Sequence, residues 1–195
     1  MMETKTNKPQ RFNIESRRYI GCKSKLVDWI FEKIQNETCD TKFFCDIFAG
    51  TGSVSNRAVQ LYDKVIINDF LYSNNVLYKA FFSDKEWYEE KVLQIINEFN
   101  NIDAKKLPNN YFSDNYGDKY FDILSAKKIG YIRDSIEKMK ISLTEKEYCV
   151  LLASLIYSID KIANTLGHFE AYRKVKIVPQ NLVIRLIDVQ QCTNV

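Results

Sequence analysis

Two glycines set one residue apart behind an acid mark the stretch best suited to chemistry, Asp46-Ile47-Phe48-Ala49-Gly50-Thr51-Gly52. The apolar residues Phe43, Phe44 and Cys45 lead into it, and Ser53-Val54-Ser55-Asn56-Arg57-Ala58-Val59 follows with helical character. This order predicts strand, tight turn, helix. Glycine at both positions permits positive φ and lets a ligand come close to the backbone. The start of the helix adds free N–H groups and a partial positive charge at the same place. A nucleotide-like molecule suits such a cradle.

A second acid follows. Lys64-Val65-Ile66-Ile67-Asn68-Asp69 reads as a short β-branched strand that ends in a carboxylate. In dinucleotide-type α/β folds an acid there bonds the ribose, because a carboxylate can accept from two vicinal hydroxyls at once. The alternative role for Asp69 is to cap a helix that starts at Phe70. Upstream, Arg17-Arg18-Tyr19-Ile20-Gly21-Cys22-Lys23 puts a glycine turn and a lysine before a helix predicted over 25–36, where Leu26, Ile30 and Ile34 recur at helical spacing. Taken alone, Tyr-x-Gly-x-Lys also reads as an aromatic packed on a helix start beside a surface lysine.

The elements that must position these residues fit 195 residues, enough for one domain with a real core or one and a half of a larger architecture, with an ordinary soluble composition, 46% hydrophobic and 27% charged. No apolar run approaches the ~20 residues that a membrane helix needs, and the charged N-terminus lacks a signal-peptide core. No membrane partner and a cytoplasmic location are expected. Five cysteines without a C-x-x-C pair, and a single histidine, predict reduced thiols and no metal site. The net charge of +3 identifies no partner. Lys5, Lys8, Arg11, Arg17, Arg18, Lys23 and Lys25, set against Glu3 and Glu15, make the N-terminal segment basic enough to meet phosphates, or simply to be a solvated tail.

Residues 70–163 read as helical. Leu71, Leu77, Phe81 and Phe82 suggest one helix, and Ser83-Asp84-Lys85-Glu86 has the pattern of a capping box opening another. A loop is expected from Asn100 to Gly117, then apolar spacing from Ala126 to Met139. Thr144-Glu145-Lys146-Glu147 is a second capping box, ahead of a long apolar helix reaching about Ala163. Asn164-Thr165-Leu166-Gly167-His168-Phe169-Glu170-Ala171-Tyr172-Arg173-Lys174 combines a turn, aromatics and a basic pair, which suits stacking and phosphate contact with nucleic acid. His168 has no acid–nucleophile pair beside it and reads as structural. Leu182 to Val189 is strand-like.

A nicotinamide reading of the glycine turn fails because Ser55 stands where the third glycine would be. The pattern Asp-x-Phe-x-Gly-x-Gly, with Tyr-x-Gly-x-Lys upstream, resembles the S-adenosylmethionine-dependent DNA methyltransferases, and more narrowly the adenine-N6 class of restriction–modification enzymes. The resemblance implies a Rossmann-like α/β methyltransferase fold with a partial sheet and a helical insertion. Residues 1–69 would form the first part of the cofactor domain, 70–163 a target-recognition insertion, and 164–195 the return to the α/β layer. It further implies that Arg18, Tyr19, Gly21 and Lys23 flank the methionine end of S-adenosyl-L-methionine. Asp46, Phe48, Gly50 and Gly52 would form the turn beneath the cofactor, with Asp69 on its ribose. The partner implied is double-stranded DNA, and no metal is required. The family's methyl transfer depends on an (Asp/Asn)-Pro-Pro-(Tyr/Phe) loop that receives a flipped adenine. The only prolines here are Pro9, Pro108 and Pro179. No catalytic residue is therefore assigned, and the chain corresponds to the family's N-terminal half. It is expected to be inactive alone, either completed by a second chain carrying the catalytic half or a shortened product. The alternatives are a non-catalytic DNA-binding or specificity subunit, and a methyltransferase-like domain acting on a small molecule or RNA.

Overall fold

The protein is described here from a computed structural model, for residues 10–17, 23–166, 169–175, 177–190 and 192–195. Among the described residues, short 3-10 turns at Ile14–Ser16 and Ser24–Leu26 precede helix α1 (Val27–Glu37), strand β1 (Phe43–Asp46), helix α2 (Ser53–Ala58) and strand β2 (Lys64–Ile67). The two strands pair in parallel, with Phe43 opposite Lys64 and Asp46 opposite Ile67. Parallel neighbours need a crossover, which α2 supplies. Because side chains alternate along a strand, Phe44 and Val65 turn to one face. There they meet Val27, Phe31, Val54 and Ala58 of the two helices. The rings of Phe31 and Phe44 stack with centroids 5.7 Å apart. The opposite face carries Phe43 and Ile66, which are 69% and 54% exposed.

Five helices follow: α3 (Tyr72–Phe82), α4 (Glu89–Asn100), α5 (Tyr111–Tyr116), α6 (Ile123–Met139) and α7 (Glu145–Ile162). Helix α3 packs along α7. One apolar core runs from Phe12, Ile14 and Ala49 through α3, α4, α6 and α7 to Leu186 and Cys192. At its centre is the fully buried Tyr157, whose ring meets Phe81 edge-on at 5.5 Å and Phe12 at 5.9 Å. The Tyr157 hydroxyl donates to the Ile14 carbonyl over 2.7 Å. That bond ties the N-terminal strap, which passes beneath the glycine turn, to the longest helix.

The capping box expected at Thr144 is formed. Thr144 Oγ1 accepts from the Glu147 amide at 3.2 Å, and Glu147 Oε2 accepts from the Thr144 amide at 2.9 Å. Thr144 Oγ1 also donates to the Glu86 carbonyl at 3.1 Å. Thr144→Ala is expected to lower the unfolding free energy by about 1–2 kcal/mol, read as a shift in the urea midpoint at unchanged slope. The box expected at Ser83 is not formed, and α4 starts at Glu89 behind Tyr88. Residues 83–88 are instead claimed by the start of α7. Lys146 donates to the Ser83 carbonyl and the Tyr88 amide donates to Glu147 Oε1, while Ser83 Oγ accepts from the Lys85 amide at 3.2 Å.

The expected loop from Asn100 to Gly117 contains α5. It opens with a box in which Asn110 Oδ1 accepts from the Ser113 amide and Ser113 Oγ accepts from the Asn110 amide. A serine in place of Glu or Gln hid that signal. The strand-like tail at Leu182–Val189 joins no sheet beyond a single bridge between Phe12 and Ile187. Three of its amides are taken by side chains, and the Asp188 amide donates to the Phe12 carbonyl at 2.7 Å. Ser158 Oγ accepts from Arg185, Ser154 Oγ from Ile187, and Asn100 Oδ1 from Ile184. Ser154 and Ser158 stand one turn apart on α7, so a helix face satisfies a stretch that reads as strand.

Candidate functional site

The turn between β1 and α2 holds Gly50 at φ 56° and Gly52 at φ 79°, a region that costs an L side chain roughly 1–2 kcal/mol. The two glycines serve different ends. A Cβ on Gly52 would lie 2.7 Å from Ile14 Cδ1 and 3.4 Å from Tyr78 Cε1, so the backbone here packs directly on the core. A Cβ on Gly50 would meet nothing within 4 Å. Gly50 faces open space, which is where a ligand can reach the chain. The turn is cross-braced to the end of β2. The Ala49 amide donates to the Asn68 carbonyl at 3.0 Å, and the Asn68 amide donates to the Asp46 carbonyl at 2.8 Å. Helix α2 is only six residues long and its cap residue Gly52 offers no side chain, so the helix start brings less electrostatic help than the sequence suggests.

Both predicted carboxylates converge on this turn. Asp46 Oδ2 accepts from Ser55 Oγ at 2.6 Å, and Ser55 is fully buried. The residue that breaks the triple-glycine pattern thus holds the first acid in place. Asp69 Oδ2 accepts from the Gly50 amide at 2.9 Å, while Oδ1 accepts from the Leu71 amide at 2.9 Å and from Asn74 Nδ2 at 3.0 Å. The cap residue of α3 is Leu71, so Asp69 stands before the helix rather than capping it. A carboxylate has about four acceptor positions. Three are in use, leaving about one. Taking both ribose hydroxyls together would require Asp69 to release an internal bond. Burial pushes the Asp69 carboxyl up. The Leu71 and Gly50 amides, Asn74 and the charge of nearby Lys23 outweigh that and hold it below the usual carboxylate range.

Of the upstream segment, Lys23 is exposed and close enough to act on Asp69. Arg18, Tyr19 and Gly21, like His168, lie outside the described residues. Phe48 is 80% exposed at the end of β1. Phe70, which sequence reasoning passed over, is 99% exposed directly after Asp69. An aromatic directly after a site carboxylate was the available clue. Helix α3 adds two further contributors. Tyr78 donates its hydroxyl to the Gly50 carbonyl at 2.6 Å, and Asn74 one turn earlier reaches Asp69. Burial first, then the Asp69 and Asp46 charges, push the Tyr78 phenol far up, so it stays a donor.

The segment after α7 is pinned on the turn before α6. The Asn164 amide donates to the Tyr120 carbonyl at 2.8 Å, and Asn164 Nδ2 donates to the Lys119 and Arg173 carbonyls at 3.0 and 2.9 Å. Tyr172 meets Tyr120 edge-on at 5.2 Å. Phe169, Tyr172, Arg173 and Lys174 all stay exposed. Among the described residues no group of three or more His, Cys, Asp or Glu side chains is arranged to hold a metal, and no helix is long and apolar enough to cross a membrane.

Comparison with known proteins meets this geometry from another side. The chain is 35% identical over 162 residues to the type II methyltransferase M.CviAII of Paramecium bursaria Chlorella virus 1, covering 80% of this chain and 49% of that protein. It is 31% identical over 163 residues to the type II methyltransferase M.NlaIII of Neisseria lactamica, with the same two coverages. It is 32% identical over 170 residues to the modification methylase LlaI of Lactococcus lactis subsp. lactis, 27% of whose length is covered. The chain spans about half the length of the first two relatives, or less for the third. No solved structure matches it. The sequence pattern of D12 class N6 adenine-specific DNA methyltransferases matches residues 19–195, taking in the glycine turn, both acids and the whole helical region, and the chain belongs to that family.

Proposed function

We propose that this chain is the S-adenosyl-L-methionine-binding part of an adenine-N6 DNA methyltransferase of a restriction–modification system, built on a Rossmann-like α/β layer. The observation that carries the reading is the Asp46–Gly52 turn, open over Gly50 and hydrogen-bonded through the Gly50 amide to Asp69. Asp69 accepts one ribose hydroxyl on its remaining acceptor position. Phe48 and Phe70 offer exposed rings for the adenine, and Asp46, held by Ser55, leaves its other oxygen for the amino group of the methionine portion. Lys23, with Arg18, Tyr19 and Gly21, lines the methionine end. The bound cofactor supplies an electrophilic methyl group.

Residues 70–163 serve as the target-recognition insertion on double-stranded DNA, and 164–195 as the return toward the α/β layer. The sequence contains no Pro-Pro pair to receive the adenine. A polypeptide with an (Asp/Asn)-Pro-Pro-(Tyr/Phe) segment, in a second chain or a longer form of this one, completes the reaction. The exposed face bearing Phe43 and Ile66 supports that reading, because apolar residues on a two-stranded sheet want a cover. The cytoplasm is the compartment this reading calls for.

Isothermal titration of the purified chain with S-adenosylmethionine tests the assignment. Asp69→Ala is expected to weaken binding by roughly 10- to 100-fold, the value of about 1.5–3 kcal/mol for a hydrogen bond to a charged group. A wild-type chain that shows no heat with the cofactor overturns the reading. Salt-dependent DNA binding in its place would favour a non-catalytic DNA-binding subunit.

A further inference from the structure

We propose that Arg17 and Asn74 are positioning residues that aim the Asp69 carboxylate at the ligand and join the cofactor turn to helix α7. The inference rests on the cofactor reading above and adds a device to it. Four side chains form a polar line that ends on the Gly50 amide. Arg17 Nε pairs with Asp160 Oδ2 of α7 at 3.5 Å, and Arg17 NH1 donates to Asn74 Oδ1 at 3.2 Å. Asn74 Nδ2 donates to Asp69 Oδ1 at 3.0 Å, and Asp69 Oδ2 accepts from the Gly50 amide at 2.9 Å. Asp160 and Asn74 are buried, so the line is not a chance surface contact.

Its chemistry is directional. An amide side chain can present either its oxygen or its nitrogen to Asp69. A guanidinium has only donors, so Arg17 on one side leaves Asn74 oxygen-first toward Arg17 and nitrogen-first toward the carboxylate. Asn74 thus becomes a fixed donor, and Asp69 keeps its outer Oδ2 turned toward Gly50 and the open space. Tyr78, on the same face of α3 one turn later, clasps the Gly50 carbonyl. Gly50 is thus held at its amide by Asp69, which Asn74 of α3 braces, and at its carbonyl by Tyr78 of α3.

The test follows the Asp69 carboxyl by carbon-13 NMR, alongside titration with S-adenosylmethionine from pH 4 to 8, in Asn74→Ala, Arg17→Lys and the neighbouring control Asn75→Ala. Among the described residues, the charged and titratable groups near Asp69 are Lys23, Tyr78 and, behind Asn74, Arg17, with Asp46 acting on the same Tyr78 hydroxyl. Asp46 is also a carboxyl, so Asp69 is followed individually. Hydrogen bonds hold the Asp69 carboxyl low, so loss of the Asn74 donor raises it. In Asn74→Ala the acid limb of cofactor binding is expected to move to higher pH, with affinity at pH 7 roughly tenfold weaker. Arg17→Lys keeps the charge but cannot bridge Asn74 and Asp160 together, and shifts the limb in the same direction by less. Asn75→Ala leaves it in place. An unchanged Asp69 titration in both relay variants overturns the inference. If Asn74→Ala does not fold, Arg17→Lys decides alone. A wild-type chain that binds no cofactor overturns the cofactor reading, and the Asp69 titration still decides whether Arg17 and Asn74 hold the carboxylate.

Discussion

Tyr157→Ala should remove about 3–5 kcal/mol of unfolding free energy, the range for deleting a buried aromatic side chain. Tyr157 is fully buried, with its ring against Phe12 and Phe81. Its hydroxyl also occupies the Ile14 carbonyl. Against the 5–15 kcal/mol typical of a whole domain, such a loss is a large share. Urea unfolding followed by far-ultraviolet circular dichroism measures it. Tyr157→Phe separates ring from hydroxyl: it keeps the packing, leaves the Ile14 carbonyl without that donor, and should cost about 1–2 kcal/mol. Equal losses in the two variants would show that the hydroxyl bond, not the ring, carries the effect. The damage should reach the site as well. Ile14 Cδ1 lies where a Gly52 Cβ would go, so loosening the strap below the turn should weaken cofactor binding even under conditions where Tyr157→Ala remains folded.

The strand–turn–helix, the second strand with Asp69 and the Thr144 cap were all legible in the sequence, because each is a local pattern in which residue type and backbone preference agree. The Ser83 box and the Leu182–Val189 strand misread for the opposite reason. Their local patterns were sound, but partners distant in sequence hold the backbone in another course: Lys146 on the Ser83 carbonyl and Glu147 on the Tyr88 amide, and Ser154, Ser158 and Asn100 on amides of the tail. At the site, the acids were legible and their supports were not. Nothing local in the sequence says that Ser55 holds Asp46, or that Asn74 and Tyr78 of one helix face reach Asp69 and Gly50. The ribose argument for Asp69 counted its acceptor positions as free, and three internal donors take up most of them.

Alanine at Gly52 should destabilise the protein by about 2–5 kcal/mol, whereas alanine at Gly50 should cost only about 1–2 kcal/mol and chiefly impair binding. Both carry the left-handed backbone penalty of roughly 1–2 kcal/mol. Only Gly52→Ala adds overpacking. Its new methyl would sit 2.7 Å from Ile14 Cδ1, in a buried side chain with little room to retreat, a mismatch worth about 1–3 kcal/mol. At Gly50 the methyl enters open space, the same space a ligand must use to approach the backbone, so the loss appears in affinity rather than in folding. The pair is read by urea unfolding and by titration with S-adenosylmethionine side by side. Gly52→Ala should lose mainly in the first and Gly50→Ala mainly in the second. Equal destabilisation would mean that strain alone governs both glycines, and undiminished binding in Gly50→Ala would mean that the ligand does not sit over this turn.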